Sequence, residues 1–543
     1  MKRTVSMGLL VLILSLVLAA AACSESTATD STQVVQATAT TGSTPTSEGS
    51  KFGGTLRIVS QASIPTLDPM IGGAYVTTAV GSHIYETLFG WDENTEDQPV
   101  MVDTWNVSSD SMTWNFTLRE GMKFHDGTPV TAGDVKSTYT RWINGWYSIA
   151  GLMGEFMDED SFVVNSDTSF TINLKKRTGA VILSLAKPYG SPRIMPSRID
   201  EGVTSAIAVE EWVGSGPYKF VRWEQGDRIV LNRNEGFTTR DEPSSLYTGK
   251  VTAYIDELIW LEIPDEETKI AGLETGEWDV VDGAGLDFFQ RLNSNADLTV
   301  PLYKPGHRSN VFLIPGQAPF DNTNARLAVQ TGLDMEAIMT SLGPSDLWTL
   351  CGAVFYCGTR WETSAGVDEY YNVNDKVRAK ELLDASGYAG ETIILLNPTD
   401  YSTITPTGFV VRQELEQIGF NVEMPALDWA TIVTKFGNPE SFNVATSWDV
   451  HWNSTSPLEH EAIGASIPLF PKIDKLHELR SQFAQATTDD EKFRLLDEIQ
   501  LEFFKAVPAV YEGVFYSIYP ATAALKNFEV KAFPYYANAW LER

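Results

Sequence analysis

The sequence predicts an α/β fold, and three observations carry that prediction. Strand-like and helix-like segments alternate along the chain from Lys51 onward, the pattern of sheets covered by helices. The chain has 543 residues, 43% of them hydrophobic and 20% charged, which is ample for a buried core and too long for one ordinary core. At roughly 150 residues per domain, that length suggests about three or four units. Composition also changes sharply at Lys51, where a stretch almost without large apolar side chains gives way to a regular mixture.

The elements follow in chain order. Lys2 and Arg3 form a short basic start, and residues 7–22 are a 16-residue weakly polar to apolar run that ends in small residues. That run is short for a membrane-spanning helix. Cys23 follows at once. The arrangement resembles a bacterial lipoprotein signal, in which the cysteine is lipidated and becomes the first residue of the mature protein. One departure is Ala20, where that family usually has Leu; Leu18 stands two places further back. An ordinary secretory signal cut nearby is the alternative reading. Residues 1–22 are thus read as the signal and 23–50 as a flexible Ser/Thr-rich tether, because its side chains bury too little surface to offset chain entropy. No later apolar stretch is long enough to cross a membrane.

Gly53 and Gly54 mark a turn before a strand at 56–59. Segments 113–118 (TWNFTL) and 169–174 (SFTINL) alternate polar and apolar residues, as half-buried strands do. A helix is expected over 131–142, with Thr131 or Asp134 as its cap. Another runs over 265–275 after Pro264, with an acidic first turn and Gly276 as its stop, and a strand follows at 278–281. Further helices are expected at 324–333, 334–341, 375–386 and 408–418, the last ending at Gly419 before a strand at 420–423.

Charge narrows the partners. With 40 Lys+Arg against 71 Asp+Glu, the formal charge is -31, which argues against nucleic acid because a phosphate backbone needs a basic face. Three cysteines in this length exclude a disulfide-framework miniprotein. Two of them, Cys351 and Cys357, stand close together in CGAVFYC. An exported chain pairs such cysteines, and a metal site there would need His or Asp ligands that 350–359 lacks. A structural disulfide is expected.

Four ordered motifs then carry a resemblance. Residues 121–127 (GMKFHDG), with Pro129, Thr131, Asp134 and Val135, resemble GVKFHDGxPxTAEDV. Residues 214–220 (GSGPYKF), with 226–231 (GDRIVL), Arg233 and Asn234, resemble GTGPYKF…GDRIVLxRN. Residues 263–265 and 276–280 resemble IPDxxTxxxALxxGExDV, and 319–321 with 334–338 resemble PFDxxxxRxAxxxAIDxxAI. Together they are similar to the large solute-binding proteins of peptide/nickel-type ABC transporters, extracytoplasmic family 5, from Lys51 to the C-terminus. The resemblance implies a two-lobed periplasmic-binding-protein fold, type II, of the large class with an extra subdomain. Lobe I would be 51–305, with the extra subdomain at about 98–205. Lobe II would be 306–512, and 513–543 would return to lobe I. A small solute would lie in the cleft and pass to an ABC permease. The protein would be a monomer held to the membrane by its N-terminal lipid, extracytoplasmic, without cofactor or enzymatic activity.

Most of the shared motifs read as scaffold. His125-Asp126 fits a hydrogen-bonded turn closed by Gly127 better than a catalytic pair. Gly214-Ser215-Gly216 is not a nucleophile elbow, and His460-Glu461 lacks the second His of a zincin helix. The informative stretch is 447–460, SWDVHWNSTSPLEH. The resemblance implies that a loop of this kind, typically GWxxDxxDP, enters the cleft, and that peptide-binding members use an acid after the Trp to hold the ligand's ammonium group. Aligned on Trp448, that place holds His451, while Asp449 lies two positions earlier. Dipeptide-binding relatives also carry an Arg for the ligand carboxylate, and no Arg occurs here between Arg378 and Arg412.

Both ends of a dipeptide clamp therefore look changed, which disfavours a free dipeptide, since an unpartnered buried charge costs several kcal/mol. Trp448, Asp449, His451, Trp452 and Tyr401 are the candidate ligand residues. Aromatic faces with neutral polar tips suit an oligopeptide, a sugar or another largely neutral polar solute. Core packing is an equal reading for Trp448. Asp449, His451, Glu459 and His460 as a metal site is a weaker one. A secreted carboxylate-dependent glycosidase, or a sensory receptor without a permease, are the alternatives of function.

Overall fold

Thr55–Val59 is the strand around which the first sheet grows. The computed structural model describes residues 51–542, apart from 72–73, 94–95, 146, 188, 209–210, 452–454, 465–468, 471, 487 and 531–532. The expected signal, the tether, Cys23 and Trp452 lie outside the described residues. The first sheet has seven strands, in the order Leu298–Thr299, Ala521–Thr522, Val280–Val281, Thr55–Val59, Glu257–Leu261, Arg228–Arg233 and Tyr218–Glu224. Thr55–Val59 runs parallel to both its neighbours, and the other pairs are antiparallel. Leu56, Ile58, Val280, Val281 and Leu258 are all fully buried, which places one face of this strand and its neighbours in the core, while Arg57 on the other face stays partly exposed.

The second sheet also has seven strands. Its path is Trp348–Thr349, Ala509–Phe515, His307–Leu313, Val444–Val450, Thr392–Pro398 and Asn421–Glu423, with Ala426–Leu427 pairing on Thr392–Pro398. Thr392–Pro398, the helix Thr405–Ile418 and Asn421–Glu423 form a parallel strand–helix–strand unit. That helix begins before the expected 408 because Pro406 is tolerated in a first turn, where its missing N–H has no partner to lose. Gly408 permits a close approach: a Cβ there would stand 2.1 Å from Asn397 Cγ. The Asn397 amide in turn donates to Thr405 O at 3.0 Å and accepts from Thr446 Oγ1 at 2.7 Å, which ties helix to sheet.

A third, four-stranded antiparallel sheet is built from Val102–Val107, Thr113–Leu118, Ser169–Asn173 and Phe162–Ser166. The strand Thr113–Leu118 has the expected bounds. The helix Ala132–Ile143 is started by Thr131, whose side chain accepts from Asp134 N while Asp134 reaches back to Thr131 N at 2.8 Å, a reciprocal cap. Asp265 caps Glu266–Thr275 in the same sense, and Gly276 ends that helix at φ 77°.

The strand expected at 278–281 shortens to Val280–Val281. Trp278 turns inward, lays its ring over Gly272 and donates from Nε1 to Lys269 O at 2.7 Å. Asp279 is held by Arg57 N at 2.8 Å and by the Arg57 guanidinium at 3.0 Å. Ala509–Phe515 lies wholly in the second sheet, so a division at 512/513 would cut a strand; the chain rejoins the first sheet at Ala521–Thr522. Among the described residues no helix is long and apolar enough to cross a membrane.

Candidate functional site

A cavity of about 390 Å³ lies between elements of the first and second sheets. One wall comes from the segment after Thr55–Val59, with Pro65, Thr66 and Ile71, and from Tyr75 at the start of the helix Tyr75–Ile84. The opposite wall is Tyr401, the end of Val444–Val450 and the helix Trp429–Phe436. Asp428 caps that last helix by accepting from Thr431 N, which fixes Trp429 at its first position.

Trp448 is the hub of the aromatic lining. Its ring lies 4.4 Å from His307, 5.3 Å from Tyr75 and 6.0 Å from Tyr401, centroid to centroid. These tilted and edge-on contacts suit aromatic quadrupoles. Polar bonds steady the rings from behind. The Tyr75 hydroxyl donates to Asp282 Oδ1 at 3.2 Å and lies 2.8 Å from the Tyr519 hydroxyl. The Tyr401 hydroxyl donates to Gln61 Oε1 at 3.1 Å. Burial pushes the Asp282 carboxyl up to about 7, an effect that the Tyr75 hydrogen bond offsets in part.

Asp449 faces the same cavity and has an unusual neighbour at its back. Arg308 is fully buried in the strand His307–Leu313, its Nε 4.0 Å from Asp449 Oδ2. The guanidinium is sandwiched by rings, 3.8 Å from the Tyr511 centroid and 4.4 Å from that of Tyr356. Its Nη1 donates to Val354 O at 2.7 Å. Val354 and Tyr356 belong to the loop between Cys351 and Cys357, whose sulfurs are 2.19 Å apart. The Tyr356 hydroxyl donates to Asp449 O at 2.9 Å. The short cysteine loop thus braces Asp449 through Tyr356 and Arg308.

Glu461 also lines the cavity. Burial, with the Asp449 charge adding to it, pushes its carboxyl up to about 8, and Lys187 acts in the opposite direction. Lys187 is itself buried against Glu459 at 3.5 Å.

The sequence-expected residues separate. Tyr401, Trp448 and Asp449 line the cavity. His451 does not: its ring sits edge-on to Tyr356 at 5.2 Å, and burial lowers it to about 3. Trp452 is outside the described residues. Glu459 pairs with Lys187, and His460 Nε2 meets the Tyr511 hydroxyl at 2.9 Å. Among the described residues no three His, Cys, Asp or Glu side chains stand together to hold a metal. His125 joins the turn expected of it, its Nε2 3.0 Å from Gly216 O. Sequence reasoning missed Tyr75, Tyr189, Phe312, Trp429 and Glu461 as lining residues. Only Trp429 had a local signal, an aromatic just after a capping Asp; the helix of Tyr75 is buried all round and shows no amphipathic period.

The profile of the bacterial extracellular solute-binding proteins, family 5 (middle region), matches residues 97–461. The chain is 29% identical over 466 residues to a probable peptide ABC transporter periplasmic-binding protein of Sinorhizobium fredii, covering 83% of this chain and 86% of that one. Among solved structures it resembles the oligopeptide-binding protein of Bacillus subtilis in complex with a nonapeptide. The TM-score is 0.78 at 17% identity, over 91% of this chain and 99% of that one. It also resembles an ABC transporter-associated periplasmic binding protein of Helicobacter pylori in complex with the peptide STSA. Here the TM-score is 0.75 at 20% identity, over 91% and 99% of the two chains. These likenesses give the two-lobed periplasmic-binding fold.

Proposed function

This chain belongs to the bacterial extracellular solute-binding proteins of family 5, and from that premise we propose that it is the receptor of an ABC importer. It captures a small solute between its lobes, outside the cytoplasm, and delivers it to a membrane permease. It binds its solute and does not turn it over. The observation that carries this reading is the aromatic cavity walled from both sheets, whose volume of about 390 Å³ falls in the small-molecule range.

Tyr401, Trp448 and Asp449 contact the solute, Tyr75 closes on it from the other side, and Trp452 is a further candidate contact. His451 braces the wall from behind. The lobes divide near residues 305 and 515, with about 98–205 as a subdomain, and close around the ligand by hinge motion, favoured by its better affinity for the closed form. Cys23 carries a lipid anchor, Cys351 and Cys357 form a disulfide, and the receptor acts as a monomer. The peptide ligands of its relatives make an oligopeptide-like solute the leading class. A free dipeptide is disfavoured by the altered clamp.

Native mass spectrometry of the purified chain tests this. One solute per chain, released unchanged on denaturation, is the expected result. A released product that differs from the solute supplied would replace the receptor reading with an enzymatic one.

A further inference from the structure

Elements of the two large sheets also bond to each other directly beside the cavity. Gln61, just after the strand Thr55–Val59, is 1% exposed and does not line the cavity itself. Its side chain reaches the loop that follows Thr392–Pro398. Oε1 accepts from the Tyr401 hydroxyl at 3.1 Å, and Nε2 donates to Thr403 Oγ1 at 3.3 Å. Two neighbours hold Gln61 from its own side. Lys269 Nζ donates to Gln61 O at 3.0 Å. Gly283, at φ 72°, leaves room for the amide, since a Cβ there would stand 2.4 Å from Gln61 Nε2.

Ser63 makes a second bridge. Its hydroxyl donates to Asp400 Oδ2 at 3.0 Å and accepts from Ala430 N at 3.1 Å. The helix Trp429–Phe436 begins there, and the opening N–H groups of a helix have no partner within it. Trp429 N donates to Asp400 Oδ1 at 2.7 Å and Thr431 N to Asp428 Oδ1 at 2.9 Å, both inside the second lobe. Ala430 N, between them, is satisfied from the first lobe by Ser63. Separating the lobes would hand this N–H and the Tyr401 and Thr403 hydroxyls to water. Other bonds also cross between the lobes, such as Arg480 Nη2 to Ser148 Oγ at 2.8 Å, but neither of those residues lines the cavity. The Gln61 and Ser63 bridges end on its walls, at Tyr401 and at the helix that carries Trp429.

We propose that Gln61 and Ser63 are positioning residues for solute capture: they clasp the second lobe at Tyr401, Thr403 and the start of Trp429–Phe436, and so set the population of the closed form together with the placement of its aromatic wall. This rests on the receptor reading and deepens it. Gln61 acts through Tyr401 and touches no solute. The clasp bonds exist in the closed form, and apparent affinity scales with the fraction of chains in the binding-competent form.

Small-angle X-ray scattering of the full chain, with hydrogen exchange and native mass spectra on the same preparations, tests this with no added solute. Gln61→Met keeps the side-chain length and removes both amide bonds. Ser63→Ala, at a half-buried position, serves if Gln61→Met fails to fold. Each variant loses two cross-lobe bonds and is expected to lower the closed-to-open ratio by about tenfold, read as a larger radius of gyration. In Ser63→Ala the Ala430 amide is expected to exchange at least about tenfold faster. Ser63→Thr, which keeps the hydroxyl, is expected to scatter as the wild type does. Less bound solute than in the wild type is expected in the spectra of Gln61→Met and Ser63→Ala. A lower thermal midpoint with unchanged scattering would reduce the two residues to packing and overturn the clasp, as would wild-type scattering and exchange in both variants; the receptor reading stands in either case. A product that differs from the solute supplied, released by the wild type, overturns the receptor reading itself, whatever the scattering shows.

Discussion

Trp448 is 9% exposed and still lines the cavity, so its roles as core residue and ligand wall coincide. One face packs on His307 and Tyr75 while another part of the ring faces the cleft. Trp448→Ala would remove the hub of that cluster and lower unfolding stability by about 3–5 kcal/mol, measured by denaturant titration. Trp448→Phe keeps an aromatic body and is expected to retain most stability while weakening ligand binding. If Trp448→Ala unfolds at the wild-type denaturant midpoint, the ring is not part of the packed core. His451 teaches the opposite lesson. Its spacing from Trp448 matched the place of a ligand-binding acid, yet its side chain is turned toward Tyr356.

At the scale of elements, the caps did local work and the strand His307–Leu313 did not follow local rules. Thr131, Asp265, Asp334 and Asp375 each accept from the backbone N–H three residues on, and helices begin where those side chains stand. His307–Leu313 buries His307, Arg308, Ser309 and Asn310 in succession at the centre of a sheet. Nothing in that polar run announces a core strand; its pairing with Val444–Val450 and Ala509–Phe515 imposes it. The loop from Cys351 to Cys357 has a similar dependence. Its value lies in what it holds, Arg308 and through it Asp449. Replacing both cysteines by serine is expected to lower stability by about 2 kcal/mol, from the chain entropy of so short a loop. The solute affinity should fall as well, because Tyr356 loses its anchor. Equilibrium unfolding and titration with and without reductant check both; unchanged affinity would show that the brace does not reach Asp449.

For the whole molecule, the buried ionisable groups set a pH window. Burial raises Asp282 and Glu512 to about 7, Glu461 to about 8, and Asp97 and Asp200 to about 6. The folded state therefore holds their protons longer than the unfolded chain does, and stability falls as pH rises from the ordinary carboxyl range through these values. Burial lowers His83, His307 and His451 to about 3 and His125 to about 4. The unfolded chain takes up those protons first, so stability also falls as pH drops below the ordinary histidine value of 6.5. The two slopes cancel near about pH 6, where the thermal midpoint is expected to peak. A midpoint that climbs steadily from pH 6 to pH 8 would contradict the buried, protonated carboxyls.

Sequence alone determined the α/β class, the bounds of capped helices such as Glu266–Thr275, and the family. These are properties of short windows, in which propensity, capping and spacing act between near neighbours. The cleft was only partly legible, because its walls join residues hundreds of positions apart. Gln61 meets Tyr401 across 340 residues, and Ser63 meets Asp400 across 337. Tyr401, Trp448 and Asp449 came from motif position; Tyr75, Glu461 and Asp400 came only from the packing of one sheet's edge against the other. Which side chains face a cavity, and with what net charge, is fixed by strand register and by the close approach of distant elements. That is a tertiary decision, since burial and Coulomb energy depend on distance in space and not along the chain.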